Sequence, residues 1–341
     1  MQEWYIAHIN RAQARVRDIL QQARKPIIIQ PMSSNERPKR FIGFLIASIV
    51  FATLGPPPAE VNYKHRSSLV KFVCEKDNLN NISFPLDRKV IAQLYVEHSH
   101  KFIYCEVPKV GCSNWKRIIL LLNDSLGLSA SELKHYEVHS SRLLRKLSSY
   151  PRATQEELLA NYTKVMFTRD PLQRVVSAYR DKFLHEDDVY YSKTIAGVIK
   201  RRLKVNSTGP ITFQQFVSFI VVENPSHRDT HWKPMFQLCD PCRIQYDVIG
   251  KFESMTQDAE FVLKTIKAPK DMRYPSLKHH ANDSRTNGDI TEQYLKTLPH
   301  DLYRRLLNVY SVDFSMFDYG YYDDLGAQTT TNNNHQQEQI N

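Results

Sequence analysis

Three short apolar runs, each followed by a helical stretch, constrain the fold of this 341-residue chain more than any other feature. Residues 102–107 (FIYCEV) have the composition of a buried β-strand that ends at Pro108, and residues 114–122 (NWKRIILLL) that of a helix. The further strand-like runs are 164–168 and 246–252, and the further helical stretches are 154–161, 170–184 and 256–266. Strands that alternate with helices predict an α/β domain with a mainly parallel central sheet flanked by helices.

The loop PKVGCSN joins the first of these strands to its helix. Such a loop presents backbone N–H groups and the positive end of a helix dipole, both of which favour an anion. Gly111 permits close approach of the backbone, and Lys109 supplies a positive charge. The candidate phosphate-binding residues are Pro108, Lys109, Val110, Gly111, Cys112, Ser113 and Asn114. An ordinary strand–turn–helix with a surface lysine is the alternative interpretation.

A second candidate anion site follows the strand at 164–168. Asp170 is placed to cap the helix 170–184, with Pro171 at the favoured first position. Its apolar positions form one helix face, while Arg174 and Ser177 lie on a different face. The residues of the apolar face are Leu172, Val175, Val176, Tyr179 and Phe183. Arg169 at the strand end, with Ser177 two turns into the helix, can bind a second phosphate; an amphipathic helix with solvated arginines is the alternative.

The chain has only 10 glycines, and neither a GxG sequence nor a Walker loop occurs. This excludes the dinucleotide fingerprint and the standard nucleoside-triphosphate loop. Instead, PKVGCSNWKR and FTRDPLQRVVSAYRDKF resemble the two cofactor signatures of the Golgi carbohydrate sulfotransferases, in the branch of the chondroitin and dermatan 4-O-sulfotransferases. HWKPMFQLCDPCRIQYDVIGKFE and LYRRLLNVYSVDFSMFDYGY are also similar to family blocks, so the resemblance covers roughly residues 102–321.

The resemblance implies a P-loop-like sulfotransferase domain that takes its sulfuryl group from 3′-phosphoadenosine 5′-phosphosulfate and needs no metal. The first signature would bind the 5′-phosphosulfate, with Lys109 neutralising the oxygen of the leaving phosphate. The second would bind the 3′-phosphate, chiefly through Arg169 and Ser177. The residues that this signature implies are Arg169, Asp170, Pro171, Leu172, Gln173, Arg174, Val175, Val176 and Ser177. The implied acceptor is a glycan hydroxyl, first the 4-OH of N-acetylgalactosamine in chondroitin or dermatan.

Two histidines are candidates for the base that accepts the proton of the sugar hydroxyl. His139 lies where some related sulfotransferases place a catalytic histidine, and His231, in HWKP, is its rival. Glu106 departs from the neutral residue expected beside the loop, and a side chain that pointed into the site would weaken anion binding. A catalytically silent, lumenal glycan-binding relative is therefore the alternative function. A zinc site at His135 and His139 is disfavoured because HYEVH does not match HExxH.

The net charge of +10 indicates an anionic partner. Residues 1–40 carry eight basic and three acidic residues, which is half of the net charge, so nucleic acid is not expected as a partner. A second basic run, within residues 200–204, is either a solvated loop or a contact for an acidic glycosaminoglycan. Its members are Lys200, Arg201, Arg202 and Lys204.

The stretch FIGFLIASIVFATL after the basic arm predicts a short single-pass anchor with a cytoplasmic N-terminus, although a buried core helix is possible. The expected organisation is a cytoplasmic arm (1–40), a signal anchor (41–55), a stem leading into the domain (56–100), a catalytic domain (101–322) and a disordered tail (323–341). A short anchor suits the membranes of the early secretory pathway. The expectation is a type II Golgi membrane protein with a lumenal catalytic domain and a glycosaminoglycan or glycoprotein glycan as acceptor.

Glycosylation sequons and cysteines fit a lumenal body. The sequons start at Asn81, Asn123, Asn161, Asn206 and Asn282. Five cysteines in an oxidising lumen predict disulfide pairs and one odd thiol. The pair Cys239 and Cys242 is also half of a zinc motif, but a second CxxC is missing, so a disulfide role is preferred.

Overall fold

The structure, a computed structural model, describes residues 59–79, 86–122, 129–185, 188–276 and 284–320. The predicted arm (1–40), anchor (41–55) and tail (323–341) lie outside the described residues. Among the helices of the described ranges, none combines the length and the apolar character that a bilayer crossing requires.

A five-stranded sheet lies at the centre of the described chain. The strands are β1 (Leu94–Glu97), β2 (Phe102–Cys105), β3 (Arg145–Lys146), β4 (Thr163–Thr168) and β5 (Val248–Lys251). Their spatial order is β3-β1-β2-β4-β5, and β2, β4 and β5 run parallel. The prediction of a mainly parallel sheet needs correction, because β1 pairs antiparallel with both β2 and β3. The sheet is mixed because β1 and β2 form a hairpin through residues 98–101.

Helices cover the sheet and complete the fold. They are α1 (Ala59–Lys76), α2 (Arg88–Ile91), α3 (Cys112–Leu121), α4 (His135–Ser140), α5 (Arg152–Asn161), α6 (Pro171–Phe183), α7 (Ala196–Leu203), α8 (Phe213–Val222), α9 (Met235–Cys239), α10 (Pro241–Ile244), α11 (Met255–Thr265), α12 (Gly288–Leu295), α13 (His300–Val309) and α14 (Ser311–Met316). A π-helix spans Tyr190–Ile195, and 3₁₀ turns span Leu147–Ser149, Pro225–His227 and Phe252–Ser254. The four predicted helices correspond to α3, α5, α6 and α11, with ends within two residues of the predicted ones.

Helix α6 forms as its sequence predicts. The Asp170 carboxylate accepts a hydrogen bond from the Gln173 N–H at 2.9 Å, and Pro171 occupies the first helical position. All five residues of the predicted apolar face are buried in one hydrophobic cluster with α8 and α13. Packing of this face fixes α6 directly after β4, so that Arg169 stands at the junction of strand and helix.

Two disulfides join distant segments of the body. Cys74 pairs with Cys242 and Cys105 with Cys239, which leaves Cys112 as the free thiol. The prediction of disulfides over zinc at the CxxC is confirmed, because each of its cysteines bonds a different partner. The two disulfides close loops of 168 and 134 residues. In the chain-entropy treatment, closing a loop of that length stabilises the folded state by roughly 5 kcal/mol.

Helix α1 and strand β1 lie in the segment expected to be a stem. Both pack in the same hydrophobic core as β2.

Candidate active site

A cavity of about 500 Å³ lies where β2 and β4 end and α3 and α6 begin. This is the edge of an open α/β sheet at which ligands bind. The residues of the two predicted phosphate-binding segments that line it are Pro108, Lys109, Gly111, Cys112, Ser113, Asn114, Arg169 and Ser177. The remaining members of these segments are outside its lining: Val110, Asp170, Pro171, Leu172, Gln173, Arg174, Val175 and Val176. The structure thus brings the two signatures to one cavity, with only part of each facing it.

The loop after β2 contains two residues with positive φ, and one of them is a lysine. Gly111 caps α3 with φ of 76°, and Lys109 also has a positive φ, of 70°. The Tyr274 hydroxyl donates to the Gly111 carbonyl at 3.2 Å. A Cβ on Gly111 would lie 2.2 Å from that hydroxyl, so the loop and Tyr274 require glycine here. Tyr274 comes from a distant segment without regular structure, and no sequence motif identifies it.

Arg169 holds the loop and faces the cavity. Its guanidinium donates to the Lys109 carbonyl at 3.0 Å and to the Thr286 carbonyl, and lies 4.2 Å from the ring centroid of Phe252. Burial lowers the pKa of Arg169 to about 10, which leaves it positively charged at neutral pH. Within the described parts of the chain, its buried Nε–H has no hydrogen-bond partner. An unpaired buried donor on a charged side chain is the feature that an anion at this wall would satisfy.

Arg174 has a different role from the solvated or ligand-binding one expected. It is fully buried and donates to three backbone carbonyls, those of Pro108 (2.9 Å), Thr230 (2.7 Å) and Lys233 (2.7 Å). The first belongs to the loop after β2, and the other two flank His231. The guanidinium therefore ties the candidate phosphosulfate loop to the turn that carries a candidate base.

The cavity is strongly cationic. Its lining includes six basic side chains and one carboxylate, that of Asp181. The basic residues are Lys109, Arg117, Arg169, Arg180, Lys182 and Arg285. Asp181 lies 3.2 Å from the ammonium groups of both Lys109 and Lys182. Burial alone would raise the pKa of Asp181, but these two ammonium groups hold it well below its usual range. This charge balance favours a ligand with several negative charges.

The two candidate bases have different surroundings. The Nε2 atom of His139 lies 2.9 Å from the Ser113 hydroxyl, and its Nδ1 lies 3.0 Å from the Lys116 ammonium. An ammonium has only donors, so Nδ1 must accept from Lys116, and Nε2 must carry the proton of the neutral ring. A histidine in this tautomer, next to a lysine, has no lone pair at Nε2 with which to act as a base.

His231 has the opposite arrangement. Its Nδ1 lies 2.8 Å from an Asp229 carboxylate oxygen, and the Tyr191 hydroxyl donates to the other oxygen at 3.0 Å. A carboxylate only accepts, so Nδ1 carries the proton and Nε2 keeps its lone pair. Burial lowers the pKa of His231, although Asp229 opposes the shift, so the ring is neutral at neutral pH. Both His231 and His139 line the cavity.

Glu106 forms an ion pair with Lys116 at 2.5 Å. Its charge is therefore compensated at the side of the loop.

Of the sequons, Asn161 and Asn206 are exposed, and those at 81, 123 and 282 lie outside the described residues. In the basic run, the Lys200 ammonium donates to the Gly209 carbonyl, and Lys204 ends α7 with a positive φ of 55°.

A mixed sheet flanked by helices, with two strand–helix junctions at one basic cavity, is the arrangement that the sequence resemblance to sulfotransferases implies. Residues 92–320 match the Sulfotransferase family, and the chain belongs to that family.

Its relatives are named as carbohydrate sulfotransferases. Carbohydrate sulfotransferase 9 of Homo sapiens is 38% identical over 269 residues, which cover 76% of this chain and 60% of the relative. Carbohydrate sulfotransferase 8 of Mus musculus is 36% identical over 265 residues (75% and 63%), and carbohydrate sulfotransferase 14 of Danio rerio 35% over 264 residues (74% and 70%). The alignment spans about 60% of the length of the first two relatives. No solved structure matches the chain.

Proposed function

We propose that this protein is a carbohydrate sulfotransferase that uses 3′-phosphoadenosine 5′-phosphosulfate as donor and a glycan hydroxyl as acceptor. The observation that carries the proposal is the convergence of both strand–helix junctions on one cavity with six basic side chains and one carboxylate. The unpaired Nε–H of Arg169 supports an anion at this wall. Membership of the sulfotransferase family supports the same donor.

The donor, when bound, supplies the sulfuryl group and a phosphate that leaves with negative charge. The ammonium of Lys109 and the N–H groups at the start of α3 would hold its 5′ end, because a cation and a helix N-terminus both stabilise phosphate oxygens. Arg169 and Ser177, on the wall formed by the second junction, would hold the 3′-phosphate. Asp181 keeps the Lys109 side chain ordered at the cavity through their 3.2 Å ion pair.

His231 is the residue that we assign as the base, in place of His139. Its Nε2 lone pair can accept the proton of the sugar hydroxyl while the oxygen forms its bond to sulfur. Asp229 then stabilises the imidazolium through Nδ1–H, as an orienting carboxylate does in other base dyads. His139, held by Ser113 and Lys116, would position the loop.

The acceptor and the compartment form the finer part of the proposal. The 4-OH of N-acetylgalactosamine, first in chondroitin or dermatan, follows from the sequence resemblance. The named relatives include carbohydrate sulfotransferases 8, 9, 10, 11 and 14, so they do not select one branch. Two disulfides and exposed sequons at Asn161 and Asn206 support a lumenal body. A type II Golgi protein anchored by residues 41–55 accords with these features.

A silent glycan-binding relative is the alternative function that Glu106 suggests. Its ion pair with Lys116 removes that reason, since the carboxylate is neutralised beside the loop. Nothing in the described part of the site therefore favours the silent alternative over the enzyme.

The test is transfer of ³⁵S from the labelled donor to a panel of desulfated glycans. We expect Lys109→Ala to lower kcat about 10²- to 10³-fold and His231→Gln about 10²- to 10⁴-fold. His139→Gln serves as the matched histidine control and should lose less than about tenfold. Calorimetric binding of 3′-phosphoadenosine 5′-phosphate checks that each variant retains its site. Wild type that binds this nucleotide but sulfates no glycan would refute the function; equal losses in both histidine variants would refute the assignment of the base.

A further inference from the structure

One acid lies among the basic side chains of the cavity at the two strand–helix junctions. Of the described residues that line this cavity, Asp181 alone has a carboxylate. Its Oδ2 atom lies 3.2 Å from the Lys109 ammonium and 3.2 Å from the Lys182 ammonium. All three side chains are largely buried, so water screens their charges only weakly. A negative charge at this place lowers the affinity of the cavity for any anion.

The stability of helix α6 does not account for Asp181. This residue lies in the last turn of α6, where the helix dipole favours basic side chains and disfavours a carboxylate. Lys182 also pairs with Asp188 at 2.9 Å, so it has a carboxylate partner besides Asp181. The printed contact that distinguishes Asp181 from Asp188 is therefore the ion pair with Lys109, in the loop after β2.

Sulfuryl transfer, under the proposed function, concentrates negative charge beside Lys109. The bond between sulfur and the bridging oxygen breaks, and its electron pair stays on that oxygen, which remains with the 5′-phosphate. The acceptor oxygen bonds to sulfur, and its proton goes to His231. The 5′-phosphate carries one negative charge in the donor and nearly two in the product, because the second pKa of a phosphate monoester is about 6. A carboxylate next to Lys109 therefore repels the product phosphate more strongly than the donor phosphate.

We propose that Asp181 promotes release of the nucleotide product by competing with its 5′-phosphate for the Lys109 ammonium. The inference rests on the proposed function and adds the release step to it. In the empty cavity the Asp181 carboxylate compensates both ammonium groups, so no anion is needed there. When the product leaves, this ion pair replaces the contact between phosphate and Lys109. Asp181 acts through Lys109 and not on the reacting atoms, so it is a positioning residue.

Calorimetric binding of 3′-phosphoadenosine 5′-phosphate tests the proposal without turnover. Asp181→Asn removes the charge at nearly constant size, and we expect it to lower Kd for this product about five- to thirtyfold. Kd for the donor should fall less, about two- to fivefold, because its 5′-phosphate carries less charge. Asp181→Glu retains the charge and should leave the product Kd within about threefold of wild type.

Asp188→Asn is the matched control. It removes a carboxylate that also pairs with Lys182 but lies outside the described cavity lining. We expect it to change the product Kd less than about twofold. Asp181→Ser removes the same charge as Asp181→Asn and provides the second test if the asparagine variant does not fold.

Transient kinetics of ³⁵S transfer separate release from chemistry. In a single turnover, Asp181→Asn should transfer sulfate at a rate within about threefold of wild type. In the steady state its kcat should fall about three- to tenfold, after a burst of one equivalent of sulfated glycan, because release becomes limiting. A loss that appears equally in the single turnover would place Asp181 in the chemical step and overturn the proposal.

The binding results distinguish this inference from the proposed function. Weaker product binding by Asp181→Asn would mean that nucleotide binding needs the ion pair with Lys109, and it would overturn the competition. Equal tightening in Asp188→Asn would assign the effect to net charge and overturn it as well. Wild type that binds the nucleotide and sulfates a glycan, with an unchanged Kd in Asp181→Asn, overturns the inference alone. Wild type that binds the nucleotide but sulfates no glycan overturns the proposed function, and the inference with it.

Discussion

Replacing Gly111 by alanine tests the geometry of the candidate phosphosulfate loop directly. Gly111 has φ of 76°, and an added Cβ would lie 2.2 Å from the Tyr274 hydroxyl and 3.3 Å from the Met255 methyl. The hydroxyl would have to retreat by roughly an ångström to reach ordinary contact distance. Such a movement breaks its hydrogen bond to the Gly111 carbonyl and displaces a ring that lines the cavity.

The expected loss of stability has two parts. A side chain in left-handed backbone costs about 1–2 kcal/mol. Overpacking against Tyr274, together with the loss of its hydrogen bond to the Gly111 carbonyl, costs about 1–3 kcal/mol more. The second part disappears in Gly111→Ala with Tyr274→Phe, because the nearest ring carbon then lies at 3.5 Å, an ordinary contact. Tyr274→Phe alone loses one hydrogen bond, worth about 1 kcal/mol. The double variant should therefore lose less free energy of unfolding than the two single variants lose together, by about 1–3 kcal/mol.

Urea unfolding of the four proteins, with calorimetric binding of 3′-phosphoadenosine 5′-phosphate, completes the cycle. Gly111→Ala should bind this nucleotide about tenfold more weakly, and Tyr274→Phe should restore part of that loss. Gly209→Ala is the matched control, since a Cβ there meets no atom within 4 Å. Additive losses in the cycle would refute the steric reasoning, and a Gly111→Ala variant as stable as wild type would refute the loop conformation itself.

Three further predictions follow from contacts around the site. Arg174→Met should lower the free energy of unfolding by about 3–5 kcal/mol in urea, because three buried carbonyls lose their donor; a loss below 1 kcal/mol would contradict this. Reduction of the two disulfides should lower Tm in calorimetry, and thiol titration should find one free thiol, Cys112, before reduction and five after it. Asp229→Asn should lower kcat about 10²-fold. Because Asp229 raises the pKa of His231, its removal should also move the acid-side loss of kcat to lower pH, and an unmoved pH profile would argue against the dyad.

The local elements of the fold could be predicted because their determinants lie close together in sequence. Helix α6 has its cap, its proline and its apolar stripe within 15 residues, and the structure reproduces all three. The sequence does not predict strand β1, because its segment has the composition of a stem. The pairing of β1 with β2 and β3 makes the sheet mixed. That pairing depends on contacts between strands, which periodicity within one strand does not reveal.

The same distinction applies to the candidate site: some of its residues could be predicted from the sequence and others could not. The loop and Arg169 could be predicted, because each belongs to a junction of strand and helix. Tyr274, Arg285 and Thr286 come from irregular segments more than 100 residues beyond Arg169, and no spacing connects them to it. The choice between the two histidines depends on what contacts their Nδ1 atoms, a lysine in one case and a carboxylate in the other.

Under the proposed function, the burial of Arg174 explains how one side chain can hold the two segments of the site at a fixed separation. In-line displacement requires the group that stabilises the leaving phosphate and the base for the incoming hydroxyl to stand on opposite sides of sulfur, at a fixed separation. Lys109 follows Pro108, whose carbonyl accepts from Arg174, and His231 lies between Thr230 and Lys233, whose carbonyls accept from the same guanidinium. A planar group with rigidly placed donors fixes both segments at once. Under the proposed function, Arg174 is therefore a positioning residue, and its burial among backbone carbonyls is what keeps Lys109 and His231 in register.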